Sequence, residues 1–123
     1  MEPCKLHDGE FHLISIVWEH EPVGSGTLVR LCGQALGWKK STTYTMLRKL
    51  CDRGVLQNDG AVVTSRVGRA DVQKYETERL MRRSFGGSLP CFVAAFLADK
   101  RLTTAEAEEL MALIEQHRDP GRA

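Results

Sequence analysis

Residues 38–56 read WKKSTTYTMLRKLCDRGVL, and the way this stretch divides decides the fold. From about Lys40 to Asp52 it places Thr43, Met46, Leu47 and Leu50 at positions i, i+3, i+4 and i+7, which gathers them on one face of an α-helix. Ser41, Thr42, Thr45, Arg48 and Lys49 then fall on the opposite face, hydroxylated and short near its start and basic near its end. Such a helix packs by its apolar stripe and offers the other side to a polar partner. Gly54 is the expected stop, because a residue just past a helix often takes the left-handed conformation that glycine tolerates best.

Moving outward, Val55-Leu56 and Ala61-Val62-Val63-Thr64 predict two short strands joined around Asn58-Asp59-Gly60, where Asp-Gly suits a tight hairpin turn. Upstream, Gly24-Ser25-Gly26 predicts a turn, with Ser25 capping a helix that buries Leu28, Leu31, Cys32 and Leu36 and stops at Gly37. A first helix is expected from His7 or Asp8, with Asp8 a good N-cap and His7 with Glu10 at capping-box spacing. Its buried face is Phe11, Leu13, Ile14, Val17 and Trp18, with Trp18 read as a core anchor, and Pro22 ends it by removing a backbone donor. Two helices, a short turn, a basic third helix and a hairpin describe a winged helix-turn-helix domain over residues 1–68. The fold class expected is mainly α with a small β-hairpin.

Residues 69–123 predict a helical region. Val72, Tyr75, Leu80 and Met81 indicate a helix from about Ala70 to Phe85, broken by Gly86-Gly87-Ser88. Pro90 then sits in the first turn of a helix carrying Phe92, Val93, Phe96 and Leu97, where its missing N–H costs nothing. Thr103 and Glu106 match a capping box that opens a last helix with Leu110, Met111 and Ile114 on one side. Helices this short do not bury such faces alone, so they need a partner surface. A second copy of the chain is the simplest one, packing through Tyr75, Leu80, Phe85, Phe92, Val93, Phe96, Leu97, Leu110, Met111 and Ile114. The competing arrangement folds this tail back onto the N-terminal domain.

With 123 residues, 42% hydrophobic and 27% charged, the chain has the composition of one compact globular protein or a small domain with an appendage. Its longest apolar run, Leu13 to Trp18, is broken by Ser15 and too short to cross a bilayer, and no export signal is visible, so the cytoplasm is the expected compartment. Cys4, Cys32, Cys51 and Cys91 show no two-residue pairing; Cys32, Cys51 and Cys91 are expected as small buried hydrophobes and Cys4 as the exception. The formal net charge is only +1, but it is unevenly spread. Residues 1–37 set Lys5 and Arg30 against Glu2, Asp8, Glu10, Glu19 and Glu21, whereas residues 38–53 set Lys39, Lys40, Arg48, Lys49 and Arg53 against Asp52 alone. One concentrated positive segment in a nearly neutral chain is the electrostatic footprint of polyanion binding.

That segment suits duplex DNA. The major groove admits a helix whose leading residues touch base edges and whose cations grip phosphates. Ser41, Thr42 and Thr45 fit the first task, and Lys39, Lys40, Arg48 and Lys49 the second. Tyr44 fits either packing against the second helix or a phosphate contact, and Arg66 is the nearest cation to the wing. An enzyme is disfavoured. His7, His12, His20 and His117 include no i, i+4 pair, Cys4 and His7 lack a second ligand pair, and neither Gly26-Thr27 nor Gly87-Ser88 is a nucleophile elbow. No catalytic residue, metal or cofactor is expected. The alternative from another class is a helical protein-interaction or antirepressor module without direct DNA readout, which would lack salt-sensitive affinity for duplex DNA.

The chain resembles the penicillinase repressor family. Residues 6–18 (LHDGEFHLISIVW) resemble its first helix, and residues 38–56 resemble its most specific stretch: Trp38, a Ser/Thr-containing turn, Thr42-x-x-Thr45, Leu47-x-x-Leu50, then Arg53-Gly54. The tail FGGSLPCFVAAFLADKRLTTAEAEELMALI resembles the family's dimerisation helices. The resemblance implies a homodimeric transcriptional repressor that binds an inverted-repeat operator, with base-reading roles for Ser41, Thr42 and Thr45 and a phosphate role for Arg48. It also implies a membrane metallopeptidase sensor whose signal leads to cleavage in the tail. The family's scissile bond, typically Asn-Phe, falls on Ala95-Phe96, where the asparagine is missing. The wing turn carries Asp59 where the family often has a cation, so weak wing contacts to phosphate are expected. The end His117-Arg118-Asp119-Pro120-Gly121 is unlike the cysteine-rich tail of copper-responsive relatives, so copper sensing is not expected.

Overall fold

A computed structural model describes residues 4–121; Glu2 of the acidic N-terminal segment, with the other terminal residues, lies outside them. The elements are α1 (Asp8–His20), β1 (Val23–Gly24), α2 (Ser25–Leu36), α3 (Lys40–Asp52), β2 (Leu56–Asp59), β3 (Val62–Ser65), α4 (Arg69–Phe85), α5 (Leu89–Leu97) and α6 (Thr104–Gln116). This is the winged-helix order, three helices and a three-stranded antiparallel sheet, followed by three further helices. No helix among the described residues is long and apolar enough to cross a membrane.

His7, not Asp8, is the N-cap of α1, and its N–H donates to Glu10 Oε1 at 2.8 Å. Asp8 is instead the first helical residue, where its charge still favours the helix N-terminus. The Gly24-Ser25-Gly26 turn is also corrected. Val23 and Gly24 form a strand, Gly24 is the N-cap of α2, and Ser25 is a buried first residue whose N–H donates to Ala61 O at 2.8 Å. The cause is long-range. Val23 pairs with Val63 and Gly24 with Val62, so β3 lies between β1 and β2, and nothing local to residues 23–26 signals that partner.

The hairpin turn shifts by one residue because of the register of its own two strands. Asp59 pairs with Val62, which leaves Gly60 and Ala61 as the turn, at φ 58° and 65°. Two successive positive φ angles define the mirror-image turn that matches strand twist. Asn58 and Asp59 therefore belong to β2 and not to the turn.

Helices α1, α2 and α3 enclose one core with the sheet, centred on Leu13, Ile14, Leu28, Leu50, Leu56 and Val63. Phe11, Trp18, Leu31, Leu36 and Met46, expected inside, are only half-buried at its rim. Among the cysteines Cys32 is buried and Cys51 half-buried, but Cys91 is exposed, contrary to the expectation of burial. No side chain of its helix α5 is fully buried within this chain, and Cys91 lies off the half-buried Phe92 and Leu97, so helical spacing alone gave it no core to face.

Trp18 joins this core to the helices that follow. Its Nε1–H donates to Val67 O at 3.0 Å, and the Arg69 guanidinium lies 4.9 Å from the ring centroid. One turn into α4, Val72 is fully buried. Beyond that, α4 meets α5 through edge-on Phe85 and Phe92, whose ring centroids are 5.3 Å apart. Gly86 and Gly87, both at positive φ, make the reversal between them. The last helix opens on the expected capping box, with Thr103 Oγ1 accepting from the Glu106 N–H at 3.1 Å, yet it too has no fully buried side chain.

Candidate nucleic-acid interface

The third helix runs from Lys40 to Asp52, as its periodicity predicts. Thr43 is 1% exposed and sits with Leu47 and Leu50 against α2 and the sheet. Its hydroxyl donates to Lys39 O at 3.3 Å and shares a hydrogen bond with the Cys32 thiol of α2. Burial pushes that thiol's pKa up despite the Thr43 bond, so Cys32 stays protonated and acts as packing. These contacts fix the rotation of α3 about its axis, and thereby fix which side chains face out.

Ser41, Thr42, Thr45, Arg48 and Lys49 are all exposed and share that outward face. Ser41, Thr42, Thr45 and Met46 line a shallow groove of about 230 Å³. At 1.5 Å rise per residue, Ser41 and Lys49 are roughly 12 Å apart along the axis. Lys39 and Lys40 are exposed at the helix start, and no side chain caps the N-terminus there. The first N–H groups of α3 therefore lack intrahelical acceptors beside the hydroxyl cluster.

Tyr44 is half-buried against the core cluster, with Lys40 Nζ 6.0 Å from its ring centroid. Arg66 is exposed just after β3, its N–H donating to Val55 O at 2.9 Å. Arg53, counted with the positive segment, is turned away from this face. Its Nη1 lies 2.6 Å from Glu10 Oε2, and its Nη2 donates to Lys5 O. Burial raises the Glu10 pKa, but the His7 N–H bond and the hydrogen bond and charge of Arg53 outweigh it and hold the carboxyl below its ordinary value. Capping-box spacing located Glu10 in the sequence, but nothing there revealed Arg53, 43 residues on, as its partner.

The residues expected to dimerise divide in two. Tyr75, Phe85, Phe92 and Leu97 are half-buried within the chain, whereas Leu80, Val93, Phe96, Leu110, Met111 and Ile114 are exposed. Leu89, Leu102 and Leu113 join the exposed apolar set, which sequence periodicity missed. Ala95 and Phe96 are exposed inside α5, where Lys100 Nζ donates to Phe96 O at 2.9 Å and lies 4.4 Å from its ring centroid.

Comparison with known proteins adds a family. The penicillinase repressor of Bacillus licheniformis is 24% identical over 119 residues, spanning 94% of this chain and 93% of that protein. The solution structure of monomeric BlaI from Bacillus licheniformis in complex with the blaP half-operator aligns at TM-score 0.48 and 22% identity, covering 55% of this chain and 87% of that one. The family model described as penicillinase repressor matches residues 6–116, from the residues leading into α1 to the end of α6. The chain belongs to the penicillinase repressor family.

Proposed function

We propose that this protein is a sequence-specific DNA-binding transcriptional repressor, acting in the cytoplasm as a homodimer on an inverted-repeat operator. The observation that carries the reading is the outward face of α3, where Ser41, Thr42 and Thr45 stand exposed beside Arg48 and Lys49 while Thr43 and Leu47 are buried. Short hydroxylated side chains at the leading end can approach base edges, and the cations at the trailing end can neutralise phosphates. Lys39, Lys40, Tyr44 and Arg66 are the further backbone contacts in this reading. Residues 1–68 serve as the DNA-binding domain and residues 69–123 as the dimerisation arm. Two copies orient two recognition helices toward two half-sites, and this makes the operator an inverted repeat.

Support for the dimer comes from the arm's unburied apolar side chains: Phe96 is 54% exposed, Met111 61% and Ile114 64%. Large exposed apolar patches mark interaction surfaces, and the α5 and α6 faces carry such side chains without a buried residue of their own. Relief of repression by proteolysis, triggered by a membrane metallopeptidase sensor, is the finer part of the reading. The Ala95-Phe96 bond is the cleavage position in it, exposed but helical, so a protease must first unwind α5.

Fluorescence anisotropy with duplexes recovered from genomic selection tests this function. Thr45→Ala should cost on the order of 1–3 kcal/mol at one base position. Equal losses on selected and random duplexes would remove Thr45 from base reading. Binding without salt dependence would favour a protein-interaction module instead.

A further inference from the structure

Two clefts flank the outward face of α3, and their linings differ in charge. On the α1 side, Lys5, His7, Lys49 and Arg53 are interleaved with Glu10 and Asp52 around a cavity of about 490 Å³. On the other side, between α3 and the β2 strand of the wing, lies a cleft of about 290 Å³. Tyr44, Leu47, Arg48, Cys51 and Asn58 line it, and none of them is a carboxylate. A carboxylate beside a cation cancels much of its pull on a polyanion, so the wing-side cleft is the better phosphate seat.

Local geometry supports that choice. Lys40, Tyr44 and Arg48 follow one another at four-residue intervals and form one ridge along α3. Leu47 and Cys51 supply apolar surface between the ridge and the wing. A backbone hydrogen bond from Asn58 to the Cys51 thiol ties β2 to α3, so the two walls are held together. Alternation along β2 puts residue 58 on the same side as buried Leu56, and Gln57 and Asp59 on the other. The wing's acid is thus directed away from the cleft, while its neutral amide donor borders it.

We propose that this cleft seats one phosphodiester of the duplex whose bases α3 reads, and that Asn58 is a phosphate contact there. Arg48 supplies the charge, and the Tyr44 hydroxyl and the Asn58 side-chain amide supply hydrogen-bond donors to the phosphate oxygens. Held between helix and wing, that phosphate fixes how α3 is turned within the groove. The inference rests on the DNA reading above and adds the wing to it, where Asp59 alone argued for weak contact.

Anisotropy with a short fluorescein-labelled duplex of mixed sequence tests it, because a phosphate contact does not depend on sequence. The chain is titrated at salt from about 50 to 200 mM, the range over which counterion release is large. Asn58→Asp should weaken binding roughly tenfold, and Gln57→Asp, the same charge change on the opposite side of β2, less than about twofold. Asn58→Ala should weaken it about threefold and leave the salt slope unchanged, since a neutral donor releases no counterion. Equal weakening by the two aspartate substitutions, or wild-type affinity for Asn58→Ala, overturns the proposal while leaving the DNA reading intact. If the wild type and Arg48→Gln bind alike and without salt dependence, the DNA reading itself fails, a result distinct from either of those.

Discussion

The Glu10 carboxylate meets the Arg53 guanidinium at 2.6 Å, which pins the first turn of α1 to the end of α3. Both side chains are largely withdrawn from solvent, at 7% and 16% exposure. The same glutamate caps the start of α1 by accepting the His7 N–H. One carboxylate therefore holds a helix start and a tertiary contact at once, at the C-terminal end of α3.

Breaking that pair should be costly. Arg53→Ala leaves a buried carboxylate without its cationic partner, and stability should fall by about 2–4 kcal/mol. Urea denaturation followed by circular dichroism reads this directly. A loss within about 0.5 kcal/mol, typical of an ordinary surface substitution, would show the pair to be incidental.

Acid should act through the same group. The folded-state pKa of Glu10 lies below its ordinary value of 4.5, so its contribution is present above that value. It is lost as pH falls through the depressed folded pKa, because protonation then favours the unfolded chain. Glu10→Gln, which has no charge to titrate, should therefore be less stable than wild type at neutral pH. The gap should narrow progressively on acidification below pH 4.5. Urea midpoints for both proteins across this range provide the check, and a gap that does not vary with pH would contradict it.

Placing a charge on the arm should separate the proposed dimer. Ile114 is 64% exposed on α6, a helix with no fully buried side chain, and burying a glutamate there against a second copy carries a large desolvation cost. At micromolar concentration the wild type should sediment as a dimer and Ile114→Glu as a monomer. Helical signal should fall as well, because a 13-residue helix without packing is marginal in water. An unchanged sedimentation profile would move the interface elsewhere.

What the sequence disclosed follows from the range over which each feature is determined. The bounds of α3, the stop at Gly37 and the Thr103–Glu106 box depend on neighbours within one helical turn, and all three are where their residues place them. The strand at Val23–Gly24 depends on Val62 and Val63 some 40 residues away in the chain, and the residues around it read locally as a turn. The hairpin turn was displaced because Asp59 pairs with Val62, which forced the less usual Ala61 into positive φ. The exposed face of α3 was legible because burial of Thr43 and Leu47 dictates what must point outward. Arg53 was not, since a cation's partner is a matter of tertiary packing. Cys91 misled for the opposite reason: helical spacing marks a face, yet cannot say whether this chain covers it.

Amide chemical-shift mapping tests the central claim most directly. Titrating duplex DNA into the isotope-labelled protein should shift the amides of Ser41, Thr42, Thr45, Arg48 and Lys49 most strongly, together with those of the adjoining wing, and leave α6 little changed. Shifts concentrated on α5 and α6 with the α3 amides still would contradict the account.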